Sequence, residues 1–117
     1  MERGRSTTKK TTGIFAKRLR EARLNAGMSQ KALGIAAGID EFVASARLNQ
    51  YERSTHAPDY KTAQRLAKVL GVPVSYLYSD SDTEADLLLA CHGLKRTALT
   101  QLIKSAADLW DEKKAKR

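Results

Sequence analysis

GMSQKALGIAAGIDEFVASARLNQYER, residues 27–53, is the stretch on which the reading of this 117-residue chain turns. Gly27 is the residue type that closes a helix, and Ser29 is an N-cap residue, so a short helix is predicted over Gln30–Ala37 with Leu33 and Ala36 or Ala37 facing inward. Gly38 stops it. Ile39 and Asp40 follow as a hydrophobic residue and a second N-cap, and the next helix is predicted over Glu41–Arg53 with the apolar stripe Ala44, Leu48 and Tyr51. Paired short helices across a tight turn occur in many folds, so the surroundings must discriminate.

Upstream, Phe15, Leu19, Ala22 and Ala26 form one helical stripe from Ile14, with Lys17, Arg18 and Glu21 outside it. Residues 1–13 have no apolar member after Met1 and are expected to form a disordered basic arm. Downstream, a polar loop (Ser54–Pro58) leads to a helix predicted over Asp59–Leu70, which buries Ala63, Leu66, Ala67 and Leu70 and is stopped by Gly71. Pro73 opens a short fifth helix with Val74, Leu77 and Tyr78. After the acidic hinge Ser79–Asp82, Thr83 and Asp86 suggest a capping box for a sixth helix through Leu87, Leu88 and Cys91. A last helix from about Leu94 carries Leu99, Leu102, Ile103, Ala106, Leu109 and Trp110 on one stripe.

Length allows one core, and an aromatic content of only 6% with abundant Ala and Leu favours helices over strands. No apolar run is long enough to span a bilayer and no signal-peptide core follows Met1, so a soluble, cytoplasmic protein with no membrane partner is expected. The lone Cys91 can form no internal disulfide and is expected to be buried as a small apolar residue. The net charge of +8 is uneven: residues 1–13 contribute +3, residues 14–79 contribute +5, and residues 80–117 are neutral. A basic field confined to the first two thirds is the footprint of a protein that meets a phosphate backbone.

Several spaced elements agree in order: Gly27-Met28-Ser29-Gln30-Lys31 with Leu33, Ala37-Gly38-Ile39-Asp40, Gln50-Tyr51-Glu52-Arg53, Pro58, and Leu66-Ala67-Lys68-Val69-Leu70-Gly71-Val72. Together they resemble the lambda-repressor and Cro-like (XRE-type) helix-turn-helix family of transcriptional regulators, over about Ile14 to Ser79. The resemblance implies an all-α fold: a five-helix lambda-repressor-like helix-turn-helix domain (14–79) with a C-terminal helical tail (80–117). It implies sequence-specific binding of double-stranded DNA as a regulator, as a repressor above all, and neither enzymatic activity nor a cofactor. Two departures stand out. Gly34 occupies a position where the family usually carries Ala, and between Gly38 and Glu52 the chain is about four residues longer, close to one helical turn. An extended recognition helix is therefore expected.

With Ala44, Leu48 and Tyr51 inward, the opposite face of that helix holds Phe42, Ala46, Asn49, Gln50 and Arg53, flanked by Ser45 and Arg47. Asn and Gln can bridge adenine, Arg can bridge guanine, and apolar groups pack on thymine methyls, so Ser45, Ala46, Arg47, Asn49, Gln50 and Arg53 are the candidate base contacts. Phe42 is expected at the far rim of the groove or against a partner. Candidate phosphate contacts are Ser29, Gln30 and Lys31 at a helix N-terminus, with His56 and Lys61; Arg3, Arg5, Lys9 and Lys10 could track a groove from the arm. Asp40 and Glu41 are assigned to capping. The resemblance further implies that Arg23 and Glu52 form a structural ion pair that holds the recognition helix.

The tail stripe is expected to pair with a second copy, giving a homodimer that matches a two-fold symmetric site. The two histidines, His56 and His92, stand apart from any metal-ligand set, and no Gly-rich phosphate loop follows a strand. An alternative from the interaction-protein class is an antitoxin that binds DNA with the same fold and a toxin with its tail.

Overall fold

Six α-helices and one 3-10 turn follow one another along the chain in a computed structural model that describes residues 2–115, with side chains from Gly13 onward. They are α1 (Glu2–Asn25), α2 (Gln30–Ala36), α3 (Ala44–Glu52), α4 (Tyr60–Leu70), the 3-10 helix Val74–Tyr78, α5 (Asp82–Cys91) and α6 (Arg96–Ala115). There is no strand among the described residues. Residues 2–13, expected to form a disordered basic arm, instead run on as the first half of α1, with side chains described only from Gly13.

Local chemistry sets most helix ends. The Ser29 hydroxyl accepts from the Ala32 N–H at 3.0 Å and starts α2, and the Asp59 carboxylate accepts from the Thr62 N–H at 2.8 Å and starts α4. At the far end of α2 the chain reverses through Gly38, whose φ of 92° is one that side chains resist. There the Ile39 N–H bonds back to the Gly34 carbonyl at 2.9 Å, and Ile39 folds against the core. The same backward bond closes α1 (Met28 N–H to Arg23 carbonyl, 3.2 Å) and α4 (Val72 N–H to Ala67 carbonyl, 3.0 Å), each placing an apolar side chain on the core.

Leu19, Leu33, Leu48, Leu66 and Leu77 are the large side chains that are fully buried, one each from α1, α2, α3, α4 and the 3-10 helix. Each such burial is worth about 1.5–3 kcal/mol. Tyr51, Tyr76, Ala22, Ala37 and Ala67 fill between them, and Ala85 brings α5 onto the same core. α2 and α3 approach most closely at Gly34. A Cβ there would stand 2.8 Å from the Ala44 Cβ and 3.0 Å from Leu48 Cδ2, so the position is filled by the one residue that has none.

That contact corrects the expected extension of the recognition helix. α3 starts at Ala44, not Glu41, and the additional residues lie in the turn before it. Asp40 explains why. Its carboxylate accepts from the Phe42 N–H at 3.0 Å and its carbonyl from the Val43 N–H at 3.1 Å, a local turn that competes with helix. Packing of Ala44 on Gly34 then fixes where α3 begins.

Other boundaries shift for similar reasons. Ser81, not Thr83, caps α5 by accepting from the Glu84 N–H at 3.2 Å. Pro73 precedes a 3-10 turn where an α-helix was expected, and the tail helix starts at Arg96. Cys91 is only half-buried. Arg18, predicted outside the α1 stripe, is 4% exposed. Its Nε donates to the Ser79 carbonyl and its Nη2 to Asp82 Oδ1, both at 2.9 Å, while the guanidinium lies 5.6 Å from the Tyr76 ring centre. The acidic hinge is thus the partner that draws Arg18 in, its stem covering apolar surface.

α6 has no buried residue, and none of the closely packed pairs of elements includes it. Leu99, Leu102, Ile103, Leu109 and Trp110 are all exposed along it.

Candidate nucleic-acid interface

The inward stripe of α3 determines what its outer face presents. Ala44, Leu48 and Tyr51 are buried, and at 100° per residue this leaves Ser45, Ala46, Arg47 and Asn49 exposed, with Gln50 half-buried and Arg53 exposed at the C-cap. A convex, largely polar face results, with two amides, two guanidiniums and a hydroxyl within one short helix and its cap.

α3 is held from behind by Arg23 of α1. Arg23 Nε donates to Glu52 Oε2 at 2.6 Å, Nη2 to Glu52 Oε1 at 3.1 Å, and Nη1 to the Met28 carbonyl at 2.9 Å. The two side chains are 10% and 2% exposed, so the fork-to-fork pair is shielded from solvent. The bond to Glu52 also holds the guanidinium above its ordinary pKa. One guanidinium therefore ties the end of α3 to α1 and, through the Met28 carbonyl, to the turn before α2.

Gln30 joins the same cluster: its Nε2 donates to Glu52 Oε1 at 3.1 Å. Its side chain is engaged within the protein, so any anion at this point would meet the backbone N–H groups of α2's first turn. Ser29 and Lys31 are exposed beside it, the Ser29 oxygen serving as the cap of α2.

Between α3 and the start of α4 lies an open groove lined by Arg47, Gln50, Tyr51, His56, Ala57, Pro58, Asp59 and Thr62. Arg47, Gln50 and His56, assigned separately from sequence, are brought together here, and exposed Lys61 is next in the chain to Thr62. Bonds from the Thr62 side chain and then its backbone N–H hold the Asp59 carboxyl below the usual carboxylate range. Thr62 itself was missed. The available signal was its place three residues after an Asp N-cap, where a hydroxyl sits beside a helix N-terminus.

The groove's floor depends on an unusual backbone. Ser54 has φ of 63°, in the left-handed region, and lets the Thr55 N–H reach back to the Gln50 carbonyl at 3.1 Å; the Thr55 hydroxyl donates to the same oxygen at 3.2 Å. This closure sets the path of the loop carrying His56.

Among the described residues no group of three or more His, Cys, Asp or Glu side chains could hold a metal ion, and no helix is long and apolar enough to cross a membrane.

A helix-turn-helix family model matches residues 19–77. The chain is 35% identical over 75 residues to the cryptic phage CTXphi transcriptional repressor RstR of Vibrio cholerae. That match covers 62% of this chain and 62% of the repressor, so it spans about three fifths of that relative's length. Among solved structures, the crystal structure of the transcriptional regulator BswR is similar at 45% identity with a TM-score of 0.71, over 80% of this chain and 92% of that one.

Proposed function

Because the chain belongs to the XRE-type helix-turn-helix family of DNA-binding transcriptional regulators, we propose that it is a sequence-specific repressor that reads the major groove of double-stranded DNA with α3. The observation that carries this reading is the state of α3, anchored on one side by Leu48, Tyr51 and the Arg23–Glu52 pair and presenting Ser45, Ala46, Arg47, Asn49, Gln50 and Arg53 on the other. Amide and guanidinium groups in a shallow convex helix match the donor and acceptor pattern of major-groove base edges. Ser29, Gln30, Lys31, His56 and Lys61 border this face and serve as phosphate contacts, Gln30 through its backbone N–H. Such a protein works in the cytoplasm, on the nucleoid.

The uncovered stripe on α6 supports a homodimer, which would place two copies of α3 on two half-sites. The same stripe also favours a second reading, an antitoxin whose tail covers a toxin; recovery of a fixed stoichiometric complex with a small basic protein encoded alongside it would support that reading. The decisive experiment is selection of bound sequences from a random duplex pool, followed by affinity measurement across salt. Enrichment of a two-fold symmetric motif, with affinity falling steeply as salt rises, is the expected result. A pool that stays random, or binding indifferent to salt, refutes the proposal.

A further inference from the structure

The turn Asp40–Val43 is the part of the helix-turn-helix that the groove reading leaves unused, and its composition is odd for a surface turn. Phe42 is 89% exposed and Val43 is 39% exposed. Val43 stands at the N-cap of α3 and makes no side-chain cap bond, so a position that usually carries a hydroxyl or carboxylate holds a second uncovered apolar group. The carboxylate that could have capped α3, that of Asp40, instead accepts from the Phe42 N–H at 3.0 Å, and the Asp40 carbonyl takes the Val43 N–H at 3.1 Å. Behind the turn, Ile39 is packed on the core. The exposed ring is therefore mounted on a tied backbone.

We infer that Phe42 is a specificity-determining residue, whose ring packs on the C5-methyl group of a thymine next to the bases met by the polar half of α3. This rests on the reading of α3 as the groove helix. Phe42 precedes Ala46 by four positions and Asn49 by seven, so apolar Phe42, Val43 and Ala46 lie toward the N-terminal half of the recognition element and Asn49, Gln50 and Arg53 toward the C-terminal half. Thymine is the base that offers an apolar group in the major groove, and Phe is among the side chains that meet it. A protein partner fits poorly: one ring and part of a valine offer far less than the roughly 800 Å² per side of a standard interface.

The test uses the full chain and the duplex obtained by selection. Each thymine is replaced in turn by uracil, which removes the methyl and leaves base pairing intact, and affinity is measured for wild type and Phe42→Ala. For wild type, one thymine per half-site should lose about fourfold on replacement, the transfer free energy of a single buried CH₂ group. Phe42→Ala should bind the thymine duplex more weakly and be indifferent to uracil at that position alone, keeping the other sensitivities and the salt dependence. Because Phe42 buries almost nothing, its melting temperature serves as the folding control and should be unchanged. Identical uracil profiles for the two proteins overturn the inference while leaving the DNA-binding function standing, as does a Phe42→Ala variant that keeps its DNA affinity but loses a protein partner. Failure of wild type to enrich any sequence overturns the functional reading and this inference with it.

Discussion

Replacing Gly34 by Ala adds one methyl group at the closest approach of α2 and α3, and two opposing terms decide the outcome. A Gly-to-Ala change within a helix is worth about 1 kcal/mol of propensity in its favour. Against it, the new Cβ meets the Ala44 Cβ at 2.8 Å, Leu48 Cδ2 at 3.0 Å and the Ala44 Cα at 3.2 Å. Two of these atoms are fixed to the α3 backbone, and Leu48 is itself fully buried, so the helices must separate. Overpacking of this kind costs about 1–3 kcal/mol. The net expectation is a loss of about 1 kcal/mol, or a fall of roughly 4–8 °C in melting temperature for a domain of this size. DNA affinity should fall as well, because separation displaces α3 relative to Ser29 and Lys31. Urea denaturation and calorimetry measure the first effect, and titration of the selected duplex the second. In Gly34→Ala combined with Ala44→Gly the 2.8 Å contact is gone, and part of the binding loss should be recovered. A single Gly34→Ala variant that melts higher than wild type and binds undiminished would refute the argument that close approach sets the position of α3.

Arg23→Ala should cost about 3–5 kcal/mol by leaving Glu52 buried without its cation, and denaturation should show this together with lost DNA binding. Asp82 is held below the usual carboxylate range by its hydrogen bond to Arg18, with Lys17 nearby. A group with a depressed folded pKa stabilises above its unfolded value near 3.9 and loses that contribution as pH falls through the folded value, so stability should decline below about pH 5 and Asp82→Asn should flatten the decline in acid-titrated melting curves. Removing residues 94–117 should leave the core's melting temperature unchanged and give a monomer by light scattering, with weaker binding to the symmetric duplex.

What could be read from sequence was whatever is decided within a few residues. Ser29 caps the helix it was expected to cap, Gly38 and Gly71 end theirs, and the five leucines of the core fell on stripes visible at helical spacing; Asp59, read as the first residue of its helix, is instead its cap. The start of α3 was not legible because it is set by Ala44 meeting Gly34 across the turn and by the Asp40 side chain turning back on the backbone. Arg18 was misplaced because its partners lie more than 60 residues away, at Ser79 and Asp82. Nothing local marks Ser54 as left-handed. For the candidate site, periodicity alone identified the outward residues of α3, since Ala44, Leu48 and Tyr51 fix that helix's rotation. The groove that joins Arg47 and Gln50 to His56 and Thr62 required the packing of α4 to be known.

A 20-residue helix that buries none of its side chains has a consequence for cooperativity. α6 draws little on the packing that holds α1 to α4 together, and most helical stability in proteins comes from such packing. Heating a dilute sample should therefore remove helical signal in two stages, the tail first and the core later, and a single unfolding midpoint would average over both. The core has its stability written into its own interior, whereas the tail owes its order to whatever covers its exposed stripe.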